Sequence, residues 1–99
     1  MRRIRIVRPA SEELADAVRW YEDSRLGLGA EFFDAVEQTL SRIEAHPEVG
    51  AAAFGDPDLR RVLIPRFPYQ VVYRLPLGEI VIVAFAHLKR RPGFWKRRR

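Results

Sequence analysis

"GLGAEFFDAVEQTLSRIEAHP", residues 27–47, reads as one long amphipathic helix. Phe32, Val36, Leu40 and Ile43 recur at i, i+4, i+8 and i+11, with Phe33 beside them. Glu31, Asp34, Glu37 and Arg42 fall mostly off that stripe, which leaves one apolar face to be buried. His46 and Pro47 end the pattern. Upstream, Pro9 fits the first turn of another helix, where a missing N–H costs nothing. Leu14, Val18 and Tyr21 follow at i, i+4 and i+7, with Ala15 and Ala17 alongside. Glu12, Glu13 and Asp16 are placed in or near the first turns, where they favour the helix dipole. This helix closes near Ser24. So short a connection predicts an antiparallel helical hairpin.

The hairpin needs a surface to cover, and the flanking segments supply strands. "RIRIV" at 3–7 alternates cation and apolar residue, the period of a half-buried strand. Residues 47–58, "PEVGAAAFGDPD", hold prolines, glycines and acids and read as a loop. "RRVLIP" at 60–65 alternates, "YQVVYRL" at 69–75 is apolar on both faces, and "EIVIVAFA" at 79–86 is a continuous buried run, placed centrally. "LPLGE" at 75–79 is a hairpin turn in which Gly78 supplies a positive φ. The expected fold is α+β in the order β-αα-βββ, a helical hairpin packed on a small, twisted, mainly antiparallel sheet. Val36, Leu40 and Ile43 are then expected against Val71, Ile80, Ile82 or their alternates on the last two strands.

The 99 residues support one domain, 1–99, ending in a basic tail, 89–99. With 47% hydrophobic and 31% charged residues the balance is globular. There is no cysteine, which excludes disulfides and thiolate metal sites and points to the cytoplasm. No apolar run is long enough for a membrane span, and the N-terminal cations lack the apolar region of a signal peptide. The net charge of +5 conceals a segregation. Residues 1–8 carry four arginines and no acid, residues 9–58 twelve acids against three arginines, and residues 59–99 eleven cations against Glu79 alone. A dipolar surface follows if the first and last segments lie together.

Arg60, Arg61, Arg66 and Arg74 lie on or beside the C-terminal strands, with Lys89, Arg90 and Arg91 just beyond. Guanidinium forks suit phosphates and carboxylates equally, so this pattern fits nucleic acid or an acidic peptide. His87 ends the last strand, where an imidazole is either a proton carrier or a structural residue. Tyr69, Tyr73, Phe94 and Trp95 are candidates for stacking on bases, or for filling the sheet–helix interface. Phe94 and Trp95 follow "RPG" and are expected to fold back as a clasp, with Trp20 as a candidate surface. No phosphate loop, metal-ligand spacing or nucleophile elbow occurs, so no metal or cofactor is expected. Phosphoryl chemistry on such a chain would be metal-free, by internal attack of a ribose 2′-hydroxyl.

"A…ELADAVRWYE", "GLGAEFFDAVEQTLSRIEAHP", "RRVLIPRFPYQVVYR" and "IVIVAFAHLKRRPGFW", in this order and spacing, resemble the RelE/ParE superfamily of type II toxin–antitoxin toxins. The resemblance runs through nearly the whole chain and implies the same β-αα-βββ architecture. It implies a toxin neutralised by a small, acidic cognate antitoxin, for which the basic sheet and tail (Arg60, Arg61, Arg66, Arg74, Lys89, Arg90, Arg91, Trp95) form a landing surface. Members of the superfamily act either on the ribosome, cutting mRNA, or by inhibiting DNA gyrase. For the first activity the resemblance implies a catalytic set of Arg60 (or Arg61), Arg74 and His87, with the cations after it. The long helical hairpin and "RFPYQVVYR" resemble the ParE side. No lysine pair precedes the second strand and no terminal tyrosine follows the last, which points the same way, to inhibition by binding. A stand-alone nucleic-acid-binding module or a degenerate, non-toxic homologue is the third possibility.

Overall fold

The computed structural model describes residues 2–53 and 55–99. The elements are β1 (Arg3–Ile6), α1 (Arg8–Ser24), α2 (Leu28–Ala45), β2 (Ala51–Ala53), β3 (Asp56–Leu63), β4 (Tyr69–Arg74) and β5 (Glu79–His87). The five strands form one sheet in the order β1-β5-β4-β3-β2, antiparallel except for β1 beside β5. The architecture is the expected α+β fold with a helical hairpin on the sheet, and it has one strand more than the sequence reading. That strand is β2, inside the stretch read as a loop, where β3 also begins, running from Asp56 to Leu63 and not from Arg60 to Pro65. Three alanines carry no alternation to betray a strand. They pair because Arg60 and Arg61 of β3 present an open edge to them.

Within the hairpin, Pro9 stands in the first turn of α1 and the helix ends at Ser24, as expected. The acids are displaced: α1 begins at Arg8, so Glu12 and Glu13 lie beyond its first turn. The α2 N-terminus is capped from the neighbouring helix. The Glu22 carboxylate accepts the N–H groups of Gly27 and Gly29 at 3.1 Å, closing the hairpin. A Cβ at Gly29 would lie 2.8 Å from the Val18 carbonyl, so glycine sets how closely the helices approach.

The apolar stripe of α2 is rotated from its expected position. Gly29, Phe32, Val36, Thr39 and Ile43 are buried, whereas Leu40 is only half-buried and Phe33 is 41% exposed. Thr39 enters the interior because its hydroxyl donates to the Ala35 carbonyl at 2.8 Å. On the sheet, Val71, Ile80 and Ile82 are buried as well. Ile43→Ala is accordingly expected to cost about 2–5 kcal/mol. The half-buried Leu40→Ala should cost only about 1–2 kcal/mol, within the ordinary range of single substitutions. Urea unfolding of the two variants measures the difference, and equal losses would contradict this rotation.

β4 lies at the middle of the sheet and β5 between it and β1; both are buried along nearly their whole length. Gly78 turns the chain between them at φ 77°. The register shifts by one residue on β5, because Val72 pairs with Ala84 while Tyr73 pairs with Ile82. This bulge lets Ile82 and Phe85 face the helices together. Tyr69 and Tyr73 share the helix-facing side of β4, as their parity predicts. Tyr69 packs on Tyr21 and Phe32, and the Tyr73 hydroxyl donates to Pro47 O at 2.7 Å and accepts from Gly50 N at 2.9 Å.

Burial raises the phenols of Tyr21, Tyr69 and Tyr73 above their ordinary value of 10.0. For Tyr69 the carboxylates of Glu13 and Asp16 add to that; for Tyr73 the Gly50 hydrogen bond and the charges of Arg60 and Arg42 oppose it. Below pH 10 all three are protonated in both the folded and the unfolded chain. As the pH rises past 10 the unfolded chain releases these protons first, so the stability they contribute is lost. Stability measured from pH 7 upward should therefore stay level to about pH 10 and fall beyond it. Folded protein whose phenolate absorbance rises at the ordinary pH would contradict this.

Candidate partner-binding surface

The basic groups do not form one cluster; the sheet sorts them. Alternation along β4 directs Arg74 away from the helices, opposite in sense to Tyr69 and Tyr73. The Arg74 side chain is largely buried, at 17% exposure, because the tail lies across it. Its guanidinium donates to Lys96 O at 2.9 Å and to Arg98 O at 3.4 Å. Arg5 of β1 donates to Arg99 O at 3.4 Å. The first and last basic segments thus lie together, as a dipolar surface requires.

The clasp expected of Phe94 and Trp95 forms, but not on Trp20. Trp95 is 1% exposed and packs edge-on to Phe94, while Trp20 remains 65% exposed on α1. In this structure the Trp95 indole is therefore closed to a partner. The guanidinium of Arg90 stacks 3.6 Å above Phe94, and Arg98 lies 5.0 Å from the same ring. Both also reach Glu13, Arg98 at 2.9 Å and Arg90 at 3.4 Å. The Glu13 carboxylate accepts the Phe85 N–H at 3.2 Å as well, and Arg98 donates to Val83 O at 3.1 Å. β1 pairs only as far as Ile82, so these side chains close the edge that β5 leaves open beyond it.

Arg66 is likewise engaged. It donates to Glu31 at 2.9 Å, and that hydrogen bond, with Arg25 assisting, holds the Glu31 carboxyl below its usual range. Arg61 points to Gln70, donating to its Oε1 at 3.4 Å. Lys89 and Arg91 are exposed beyond β5. His87 pairs across the ladder with Tyr69, their rings 5.1 Å apart, and its Nδ1 accepts the Lys89 N–H at 3.0 Å.

Arg60 and Arg74 do come together, at the end of the sheet where β4 stops and β5 starts. They line an open cleft of about 720 Å³ with Arg2, Arg5 and Arg99. Sequence reasoning missed the last three as site residues, because only the pairing of β1 with β5 brings Arg2 and Arg5 there, and only the return of the tail across Arg74 brings Arg99. His87 lies at the other end of the sheet. Its ladder partner Tyr69 precedes Arg74 by five residues on β4, about 17 Å of extended chain. His87 also shares the helix-facing side with Tyr69, whereas Arg74 is on the opposite side.

The family model described as "ParE toxin of type II toxin-antitoxin system, parDE" matches residues 4–92. The chain belongs to the ParE toxin family. It is of the toxin class of type II toxin–antitoxin systems, and the ParE side of the RelE/ParE resemblance is the one supported. A solved structure titled "Chromosomal ParDE TA system from P. aeruginosa" contains a chain with the same fold at a TM-score of 0.66. The two are 19% identical, over 88% of this ParE-family chain and 96% of the other. None of the curated proteins matches it. Among the described residues no helix is long and apolar enough to cross a membrane.

Proposed function

We propose that this ParE-family chain arrests growth by binding and inhibiting DNA gyrase in the cytoplasm, and that a cognate acidic antitoxin neutralises it. One observation favours binding over mRNA cleavage. The residues needed for metal-free cleavage are split, with His87 about 17 Å along the sheet from Arg74 and on the other face. A proton carrier must lie within hydrogen-bond reach of the reacting group, and a phosphate held by Arg74 is far outside that reach. The reading as a free-standing nucleic-acid module is weakened by the burial of Tyr73 and Trp95, which leaves few rings to stack on bases.

His87→Gln separates the mechanisms, because it keeps hydrogen bonding and removes the titratable proton. Expressed in its host, the variant is expected to remain toxic, with DNA supercoiling blocked and ribosome-bound messages intact. Cleavage within codons that falls by about 10²–10⁴-fold in the variant would replace the proposal with the nuclease reading. Co-expression of the neighbouring reading frame is expected to restore growth; harmless expression of the parent chain would count against toxicity itself.

A further inference from the structure

The arginine cleft gathers several guanidinium groups at one end of the sheet. Three of its guanidinium groups are anchored on uncharged oxygens. Arg2 donates to Pro76 O at 3.0 Å and Glu79 O at 3.1 Å, and Arg60 to Glu48 O at 3.2 Å and Gly50 O at 3.1 Å. Arg74 holds the tail carbonyls, with its nearest carboxylate, that of Asp56, 3.8 Å away. Carbonyl anchors fix a guanidinium in place without cancelling its charge, so the forks are positioned and still cationic. Arg5, paired with Glu79 at 3.3 Å, and Arg74, 3.8 Å from Asp56, are the described cleft arginines with carboxylate partners, whereas Arg2 and Arg60 are held by carbonyls.

We infer that this cleft clamps an extended acidic peptide segment in which aliphatic residues alternate with carboxylates, a segment belonging to the antitoxin. The inference rests on the proposed neutralisation. Three features choose peptide over nucleic acid. The cleft arginines already grip main-chain oxygens, those of Lys96, Arg98 and Arg99, so their spacing suits a polypeptide. The apolar part of the lining is Pro57, Leu75, Pro76 and Val81, and no aromatic ring joins them among the described residues. Bases would find nothing there to stack on, whereas aliphatic side chains would find a floor. Glu48, Asp58 and Glu79 also line the cleft, and three carboxylates disfavour a backbone with a charge on every unit. A peptide that alternates its charges can set each carboxylate on a guanidinium and avoid them.

The test uses the purified chain and an acetylated octapeptide alternating glutamate and leucine, followed through the arginine Nε–Hε NMR signals. Saturable shifts are expected at Arg2, Arg60 and Arg74. The Arg2→Gln/Arg60→Gln variant should weaken binding by about a hundredfold, the loss expected for two charge-assisted hydrogen bonds. The charge-matched Arg19→Gln/Arg97→Gln variant, altered at exposed positions outside the cleft, should weaken it by less than about threefold, the effect of screened charge alone. Three results would each overturn the inference. They are no shift at millimolar peptide, shifts confined to Arg90 and Arg91, and tighter occupation of the cleft by a twelve-nucleotide single-stranded DNA. Displacement of the peptide by the protein of the adjoining reading frame is expected. A peptide that binds the cleft and resists displacement would leave the clamp standing and remove that protein as its occupant. Absence of peptide binding beside a tight complex with that protein would remove the clamp and leave neutralisation intact.

Discussion

Phe32→Ala is expected to destabilise the fold by about 3–5 kcal/mol, a large share of the 5–15 kcal/mol that holds a small domain together. Phe32 is fully buried on α2. Its ring sits 5.0 Å from Tyr21 of α1, 5.0 Å from Phe67 in the turn before β4, and 5.2 Å from Tyr69 of β4. One side chain therefore joins both helices to the sheet, through ring pairs that add to the area they bury. Removing it opens a cavity at that junction, and three rigid rings close such a space poorly. Urea unfolding should show a lower midpoint with an unchanged slope. A loss below about 1 kcal/mol would place Phe32 outside the core, at the level of a surface substitution.

Trp95→Ala is expected to cost a similar amount, about 3–5 kcal/mol, although the residue lies in a tail that ends in a run of arginines. Its indole is 1% exposed, and the tail around it carries the contacts of Arg98 with Glu13 and Val83 and of Arg74 with the tail carbonyls. Loss of the anchor should release these groups together and open the β5 edge from Val83 onward. Amide exchange at Phe85, whose N–H rests on Glu13, should accelerate more than exchange on β3. The parent chain should also fluoresce from one buried and one exposed tryptophan, Trp95 and Trp20. A Trp95→Ala variant of undiminished stability would mean that the tail is not seated on the domain. The arginine run would then be free for partners along its whole length.

These two residues differ in how far the sequence announced them. Phe32 opens a stripe of helical period, and its burial could be read directly from residues 27–47. The strands of β1, β3, β4 and β5, the Gly78 turn and the helical hairpin were legible for the same reason, since apolar periodicity and turn residues act locally. The rotation that buries Thr39 and exposes Phe33 was not legible. A stripe about a third of a helix wide fits several azimuths, and the neighbour decides among them. β2 escaped because alanines pair only when another strand offers its edge.

For the surface, the sequence by itself determined the family pattern, the separation of charge along the chain and the identity of the cationic residues. It could not determine which cations act together. Arg61, Arg66 and Arg74 look alike in the chain, yet Arg66 is tied to Glu31, Arg61 reaches Gln70, and Arg74 holds the tail beside the cleft. Glu13 read as an acid near a helix start, and the fold makes it the carboxylate on which Arg90, Arg98 and the β5 edge converge. His87 and Arg74 seemed equally placed for one catalytic set, and the antiparallel register sets them at opposite ends of the sheet. The division has a physical origin. Periodicity and turn preference are written in neighbouring residues, whereas a guanidinium reaches only a few ångströms, so its partner is chosen by strand order and register between segments up to 94 residues apart, as for Arg5 and Arg99.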